Sequence, residues 1–246
     1  CWSGCWRKHG MGGKNHGVMC KDSVENFGIV PLTMGEYRAE LYWMHTEILE
    51  DKTQFDHAYH SLSSRRQKKV DAFLYAKDKK LSLGAGLMLR KGLAARGIQE
   101  REAVFAYGEN GKPYLPEYPE VHFNLSHSGQ IAAAVFADCE VGCDVELVER
   151  ADMDLARRFF SQKEYQYLTG FMDERQRNQA FYRLWTLKES FVKAIGAGLM
   201  LPLDAFEILV KEDGQIAVCQ SVDTASYRFL EYCILEYQIS VCLSTV

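Results

Sequence analysis

The chain has 246 residues, of which 47% are hydrophobic and 25% charged, which excludes wholesale disorder and suits one large domain or two small ones. Its formal net charge of −4 excludes nucleic-acid binding driven by bulk charge. There is no run of about 18 apolar residues, so no membrane-spanning helix is expected.

Residues 1–33 are rich in Gly, Cys and Lys and show neither the two-residue period of a strand nor the 3.6-residue period of a helix. They read as a disordered or non-native N-terminal extension, with Met34 as a plausible start. A strand is predicted over Glu40–Ile48. Two helices follow between Ser61 and Gly97; in the second, Leu81, Gly84, Ala85, Met88, Leu89 and Leu93 recur at helical spacing, and Gly97 stands where a C-terminal cap belongs. From Arg65 to Arg101 there are eleven Lys/Arg and three Asp/Glu, a local excess of +8 that is either a solvated face or a patch for a polyanion.

Strand-like runs then come at Ala103–Tyr107, Val121–Ser126, Ile131–Ala137 and Val141–Val148, separated by turn signals around Gly111-Lys112-Pro113 and Ser128-Gly129. Ser161 with Glu164 forms a capping box, and a long helix runs from Glu174 to Ile195 and stops at Gly196. Strands at Ala205–Val210, Ile216–Gln220 and within Tyr227–Leu243 close the chain. The order strand, helix, strands occurs twice. That implies an α+β chain of two similar halves, 34–150 and 151–246. The eight cysteines contain no CxxC pair and read as reduced, mostly buried thiols.

Four clusters carry chemistry. In Gly142-Cys143-Asp144-Val145-Glu146, strand alternation puts Asp144 and Glu146 on one face and Cys143, Val145 and Leu147 on the core side. Two adjacent carboxylates repel unless a cation or a proton relieves them, and they suit Mg²⁺. On spacing alone, an ordinary strand with a polar outer face is the simpler account. On the long helix, Trp185, Glu189 and Lys193 share one stripe, as a surface ion pair or as a third carboxylate and an ammonium turned to a site. Ser126 and His127 end a strand and diverge, so they are not a nucleophile–base pair, but both can bond a phosphate. Lys112 rides a turn stiffened by Pro113. No P-loop, G-x-G-x-x-G, G-x-S-x-G or H-E-x-x-H motif is present.

Taken in order, GKP, FNLSHSG, VGCDVE, FFSQKEY and FYRLWTLKESFVKAIGAGL followed by LPL resemble the Sfp-type 4′-phosphopantetheinyl transferases over roughly residues 36–243. The resemblance implies a pseudo-twofold α+β fold, each half a small, mainly antiparallel sheet packed with a long helix, with the active site between the halves. It implies transfer of the phosphopantetheine arm of coenzyme A to a serine of an apo acyl- or peptidyl-carrier protein, with release of 3′,5′-ADP. By motif position, Asp144, Glu146 and Glu189 would hold Mg²⁺ (or Mn²⁺), and Glu189 would be the base for the carrier serine. Lys193 would neutralise the reacting phosphate, and Ser126 and His127 would bind phosphate oxygens. Lys112 would lie against the nucleotide, and Arg66, Lys69 and Lys80 would grip the 3′-phosphate. The same resemblance implies a cytoplasmic monomer whose partners are CoA and carrier proteins, with no nucleic acid and no membrane. A Mg²⁺-dependent CoA or pyrophosphate hydrolase and an inactive CoA- or carrier-binding module are the competing readings.

Overall fold

A computed structural model describes residues 19–21, 26–34, 37–211 and 214–245. Its elements are β1 (Met19–Lys21), β2 (Phe27–Met34), β3 (Tyr37–His45), α1 (Lys52–Ser61), α2 (Ser64–Asp71), α3 (Ala76–Ala94), β4 (Ala106–Tyr107), β5 (Pro113–Tyr114), β6 (His122–Ser128), β7 (Ile131–Ala137) and β8 (Val141–Leu147). They continue with α4 (Met153–Phe159), α5 (Gln162–Thr169), α6 (Glu174–Ile195), β9 (Glu207–Val210), β10 (Ile216–Cys219), β11 (Ser226–Ile234) and β12 (Tyr237–Thr245).

Two four-stranded sheets carry the fold, one in the order β2-β3-β7-β6 and one in the order β1-β11-β12-β8. All their pairings are antiparallel except β1 with β11. The sheets face each other across a shared core in which Leu41, Trp43, Ala133 and Val135 of the first meet Cys143, Val145, Ile239 and Val241 of the second. The outer face of the first sheet is covered by α1 and α3, through Ala58, Leu83, Leu89 and Leu93 against Tyr42, Ala134 and Phe136. The outer face of the second is covered by α6, through Phe181, Leu184, Leu187 and Phe191 with Phe229 and Cys242. β7, which reads IAAAVFA, is buried on both faces because it has a layer on each side. The expected α+β architecture of two sheet-and-helix halves is the one observed.

Several boundaries differ. Residues 27–33, expected in the N-terminal extension, form most of β2, which pairs with β3 and buries Leu32. Pro31 is tolerated there because β2 is an edge strand. Residues 19–21 form β1, while 1–18 and 22–25 lie outside the described residues. β8 was expected to close the first half at residue 150, but it is the edge of the second sheet, so the sheets divide between β7 and β8. Finally, α1 stands ahead of the two expected helices. Among the described cysteines, Cys143 and Cys242 are buried, Cys139 and Cys233 are half-buried, and Cys219, expected in a buried strand, is exposed on the small β9–β10 hairpin.

α6 begins where Asp173 accepts from Gln176 N and ends at Gly196, in the left-handed conformation at φ 71°. The capping box opens α5, and its Glu164 also takes the buried Lys188 ammonium at 2.6 Å. Lys188 further donates to Phe206 O, and Glu164 accepts from Ile208 N. This pair locks α5, α6 and the start of β9 together. Lys188 turns inward, and its neighbour Glu189, about 100° further round the helix, lines the cleft.

Candidate active site

The edge strands of the two sheets, β6 and β8, meet side by side without a backbone ladder between them among the described residues. Side chains of β6 take the place of that ladder. Asn124 Oδ1 accepts from Cys143 N at 3.0 Å, Ser126 Oγ from Val145 N at 3.2 Å and Ser128 Oγ from Leu147 N at 3.4 Å. The period of two is the same on both strands, so three alternate polar residues satisfy three alternate amides.

The hydroxyls at this seam also orient the carboxylates. Ser126 donates to Asp144 Oδ1 at 3.0 Å and Ser128 donates to Glu146 Oε2 at 2.6 Å. From the other side, Lys193 of α6 places Nζ 2.6 Å from Asp144 Oδ1 and 3.2 Å from Ser126 Oγ. Asp144 is 4% exposed, and its Oδ2 is buried without a hydrogen bond.

A cleft of about 640 Å³ opens over this seam. The second half contributes Asp144, Glu146, Trp185, Glu189 and Lys193; the first contributes Ser126, His127 and Leu125, with Arg66, Lys69 and Phe73 from the α2 region. The helical stripe of Trp185, Glu189 and Lys193 therefore faces the cleft, as its spacing allowed. An aromatic wall backs Trp185, which meets Phe159 edge-on and stacks on Phe181.

Electrostatics follow from this crowding. Burial, and then the charges of Asp144 and Glu189, push Glu146 up to about 7, although the Ser128 hydrogen bond opposes the shift. Burial and then Asp144 raise Glu189 above the usual carboxylate range. Burial would lower Lys193, but the Asp144 carboxylate beside it holds the ammonium above its ordinary value. Burial likewise raises Asp144 against the opposing pull of Lys193. His127 stands at the solvent-exposed mouth; the surrounding cleft wall and then the Lys193 charge lower its imidazole.

Arg66 is 5% exposed and donates to Ser82 O at 2.8 Å, while its buried Nε makes no hydrogen bond. Gly86 makes room for it, since a Cβ there would stand 3.0 Å from Nε. Burial, and then Arg65, lower its pKa. A buried cation with an unmatched N–H at a cleft wall is suited to an anion.

The expected site residues separate into two groups. Asp144, Glu146, Glu189, Lys193, Ser126, His127, Arg66 and Lys69 are brought to the one cleft. Lys80 and Lys112 are not among its lining. Lys80 pairs with Glu50 at 2.8 Å, and Lys112 pairs with Glu140 and donates to Ala194 O at 2.6 Å, tying its turn to the end of α6. Much of the basic excess is likewise engaged elsewhere. Arg65 lies 3.6 Å over the Phe105 ring and bonds Glu100, Arg96 pairs with Glu40, and Arg101 donates to His60 O.

Among the described residues, no three His, Cys, Asp or Glu side chains converge into a ready-made metal cage. The donors present nonetheless fit a hard divalent cation. Asp144 Oδ2 is a buried carboxylate oxygen without a partner, Glu146 is driven toward protonation by burial and then by neighbouring charge, and an incomplete oxygen set matches an ion that keeps waters and phosphate ligands. Two features lay beyond the sequence reading, the role of Ser128 and the contribution of Ser82 and Ala85 on α3 to the cleft wall. The alternation N-x-S-x-S in β6 is the signal that could have found the first.

Comparison with known proteins shows the family of the chain. The family model described as the 4′-phosphopantetheinyl transferase superfamily matches residues 140–242, and that described as 4′-phosphopantetheinyl transferase, N-terminal, matches residues 50–139. A 4′-phosphopantetheinyl transferase of Bacillus subtilis is 36% identical over 64% of this chain and 70% of its own length. The 4′-phosphopantetheinyl transferase Sfp of Bacillus subtilis (strain 168) is 32% identical over 74% of this chain and 81% of its own. A solved holo-(acyl-carrier-protein) synthase from Bacillus anthracis, in complex with CoA (3′,5′-ADP), aligns with 44% of this chain and 97% of its own at 17% identity and a TM-score of 0.39. The chain belongs to the 4′-phosphopantetheinyl transferase superfamily and is accordingly a transferase. Among the described residues no helix is long and apolar enough to cross a membrane.

Proposed function

We propose that this protein moves the 4′-phosphopantetheine arm of coenzyme A onto a serine hydroxyl of an apo acyl- or peptidyl-carrier protein, releasing 3′,5′-ADP, as a cytoplasmic monomer that engages neither nucleic acid nor membrane. The observation that carries this reading is the pairing, in one cleft, of a buried guanidinium with an unmatched Nε and a carboxylate–ammonium cluster on the opposite half. The first suits a phosphate of CoA and the second suits its pyrophosphate. In the reaction the serine oxygen forms a bond to the pantetheine-side phosphorus, the phosphoanhydride bond breaks, and the hydroxyl proton leaves.

Glu189, with its raised pKa and its place on the cleft wall, accepts that proton. Lys193 stands beside the developing negative charge. Arg66 and Lys69 hold a peripheral phosphate, and His127 gains a proton as the anion arrives, which offsets its lowered pKa in the free protein. Asp144 and Glu146, with Glu189, would hold Mg²⁺ or Mn²⁺, which when bound spreads the pyrophosphate charge and acidifies the serine hydroxyl.

The test is intact-mass analysis of an apo carrier protein incubated with this protein, CoA and Mg²⁺, with an EDTA control. A gain of one phosphopantetheine that EDTA abolishes is expected. CoA consumed without a gain would instead indicate a hydrolase, and CoA bound without a gain a binding module.

A pH dependence also follows. With Glu146 raised to about 7, its protonated form prevails below that pH in the metal-free protein, and a cation must displace the proton. The half-saturating Mg²⁺ concentration is expected to rise by up to about tenfold per unit as the pH falls below about 7, and to be nearly flat above it. Mg²⁺ titrations at about pH 6 and about pH 8 check this, and Glu146→Gln should remove that slope.

A further inference from the structure

We propose that Ser128 is a positioning residue for Glu146, setting the orientation of that carboxylate from the opposite half of the protein. The inference rests on the proposed role of Glu146 in holding a divalent cation. Ser128 is half-buried and its hydroxyl is committed in both directions: the O–H goes to Glu146 Oε2 at 2.6 Å, and the oxygen receives Leu147 N at 3.4 Å. Its orientation is therefore fixed by the backbone of the same strand that carries Glu146. With the O–H on Oε2, that oxygen is held against β6, and Oε1 has no hydrogen bond among the described residues.

Ser126 repeats the arrangement two residues earlier, with Asp144 Oδ1 and Val145 N. The two serines differ in what else holds their carboxylates. Asp144 is also held by Lys193 at 2.6 Å, whereas Ser128 supplies the only side-chain hydrogen bond to Glu146 among the described residues. Glu146 has a longer side chain than Asp144 and repulsive neighbours in Asp144 and Glu189, so without Ser128 its carboxylate would turn away from them. Because β6 and β8 belong to different sheets, this one hydroxyl also makes the carboxylate geometry depend on how the halves are docked.

The test compares Mn²⁺ binding, by electron paramagnetic resonance in the presence of CoA, for wild type, Ser128→Ala, Ser128→Thr, Glu146→Gln and the Ser128→Ala/Glu146→Gln double variant. Loss of a partner that orients a metal ligand is expected to weaken Mn²⁺ by roughly 10–100-fold in Ser128→Ala. Ser128→Thr, which keeps the hydroxyl, should restore most of the affinity. In the Glu146→Gln background the further change to Ala should have little effect, because the serine acts through that carboxylate. Thermal melts of each variant confirm the fold. Mn²⁺ affinity within about twofold of wild type in Ser128→Ala, or a full further loss in the double variant, overturns the proposal. A wild-type protein that binds no Mn²⁺ overturns it as well, together with the metal role of Glu146. Wild type that binds Mn²⁺ but modifies no carrier fails the transfer reading alone, and the Mn²⁺ affinities still decide the role of Ser128.

Discussion

Glu189→Gln is expected to fold and bind CoA like wild type while its transfer rate falls by roughly 10²–10⁴-fold, the range that a positioned general base contributes. The variant is a clean probe because of what Glu189 does not touch. It lines the cleft and has no hydrogen-bond partner among the described residues, so the amide replaces the carboxylate without breaking a contact. Its neighbour Lys188 is the buried member of the pair with Glu164 and is left intact. Lys193 would be a poorer probe. Removing its ammonium leaves Asp144 buried without its counter-charge, and the cost of that unpaired charge would obscure any catalytic effect. The discriminating measurement is single-turnover transfer to an apo carrier, alongside CoA affinity. A fall in rate at saturating Mg²⁺ with unchanged CoA affinity assigns Glu189 to the chemical step, a fall that added Mg²⁺ reverses assigns it to holding the metal, and a near-wild-type rate removes it from the mechanism.

Local signals in the sequence carried local structure well. α6 has the bounds predicted for it, Glu174 to Ile195 with a stop at Gly196, because helix ends are set within a turn of the residues that cap them. The alternation in VGCDVE put Asp144 and Glu146 on one face of β8 for the same reason: side-chain direction in a strand depends only on parity. What failed was non-local. β2 carries Gly28 and Pro31, which read as irregular, and it becomes a strand because β3 offers it an edge. The eleven basic residues leave a solvated face and a polyanion patch both open, and Arg65, Arg96 and Arg101 instead find partners distant in sequence, to which charge counting has no access. Ser126, with His127, reads only as a phosphate contact. Its hydroxyl also serves Asp144 and Val145 N across the seam, a role that needs β8 in place before it can be recognised.

Gly142→Ala is expected to be the most damaging small substitution in the site region, destabilising the protein by about 3 kcal/mol and reducing transfer by about 10²-fold in whatever fraction folds. Gly142 is where α6 touches β8. A Cβ there would overlap Ser190 O and Ala194 N and stand 2.8 Å from Lys193 C, all backbone atoms of the helix. Gly92 on α3 offers a useful contrast, since its added Cβ would collide with the fully buried Phe136 ring and cost stability without touching α6. At Gly142 the collision is with the α6 backbone itself, whose amides and carbonyls are tied to one another along the axis. α6 must therefore lift as a body, or the chain must unfold locally. Lifting α6 carries Glu189 and Lys193 away from β8 and stretches the 2.6 Å contact between Lys193 and Asp144. Stability and catalysis should consequently fall together, unlike in Glu189→Gln, where only catalysis falls. Urea midpoints and single-turnover rates of Gly92→Ala and Gly142→Ala, measured in parallel, separate these effects. An unchanged midpoint for Gly142→Ala would mean that α6 rides further from β8 than this packing requires, and that the spacing between Lys193 and Asp144 is set by another contact.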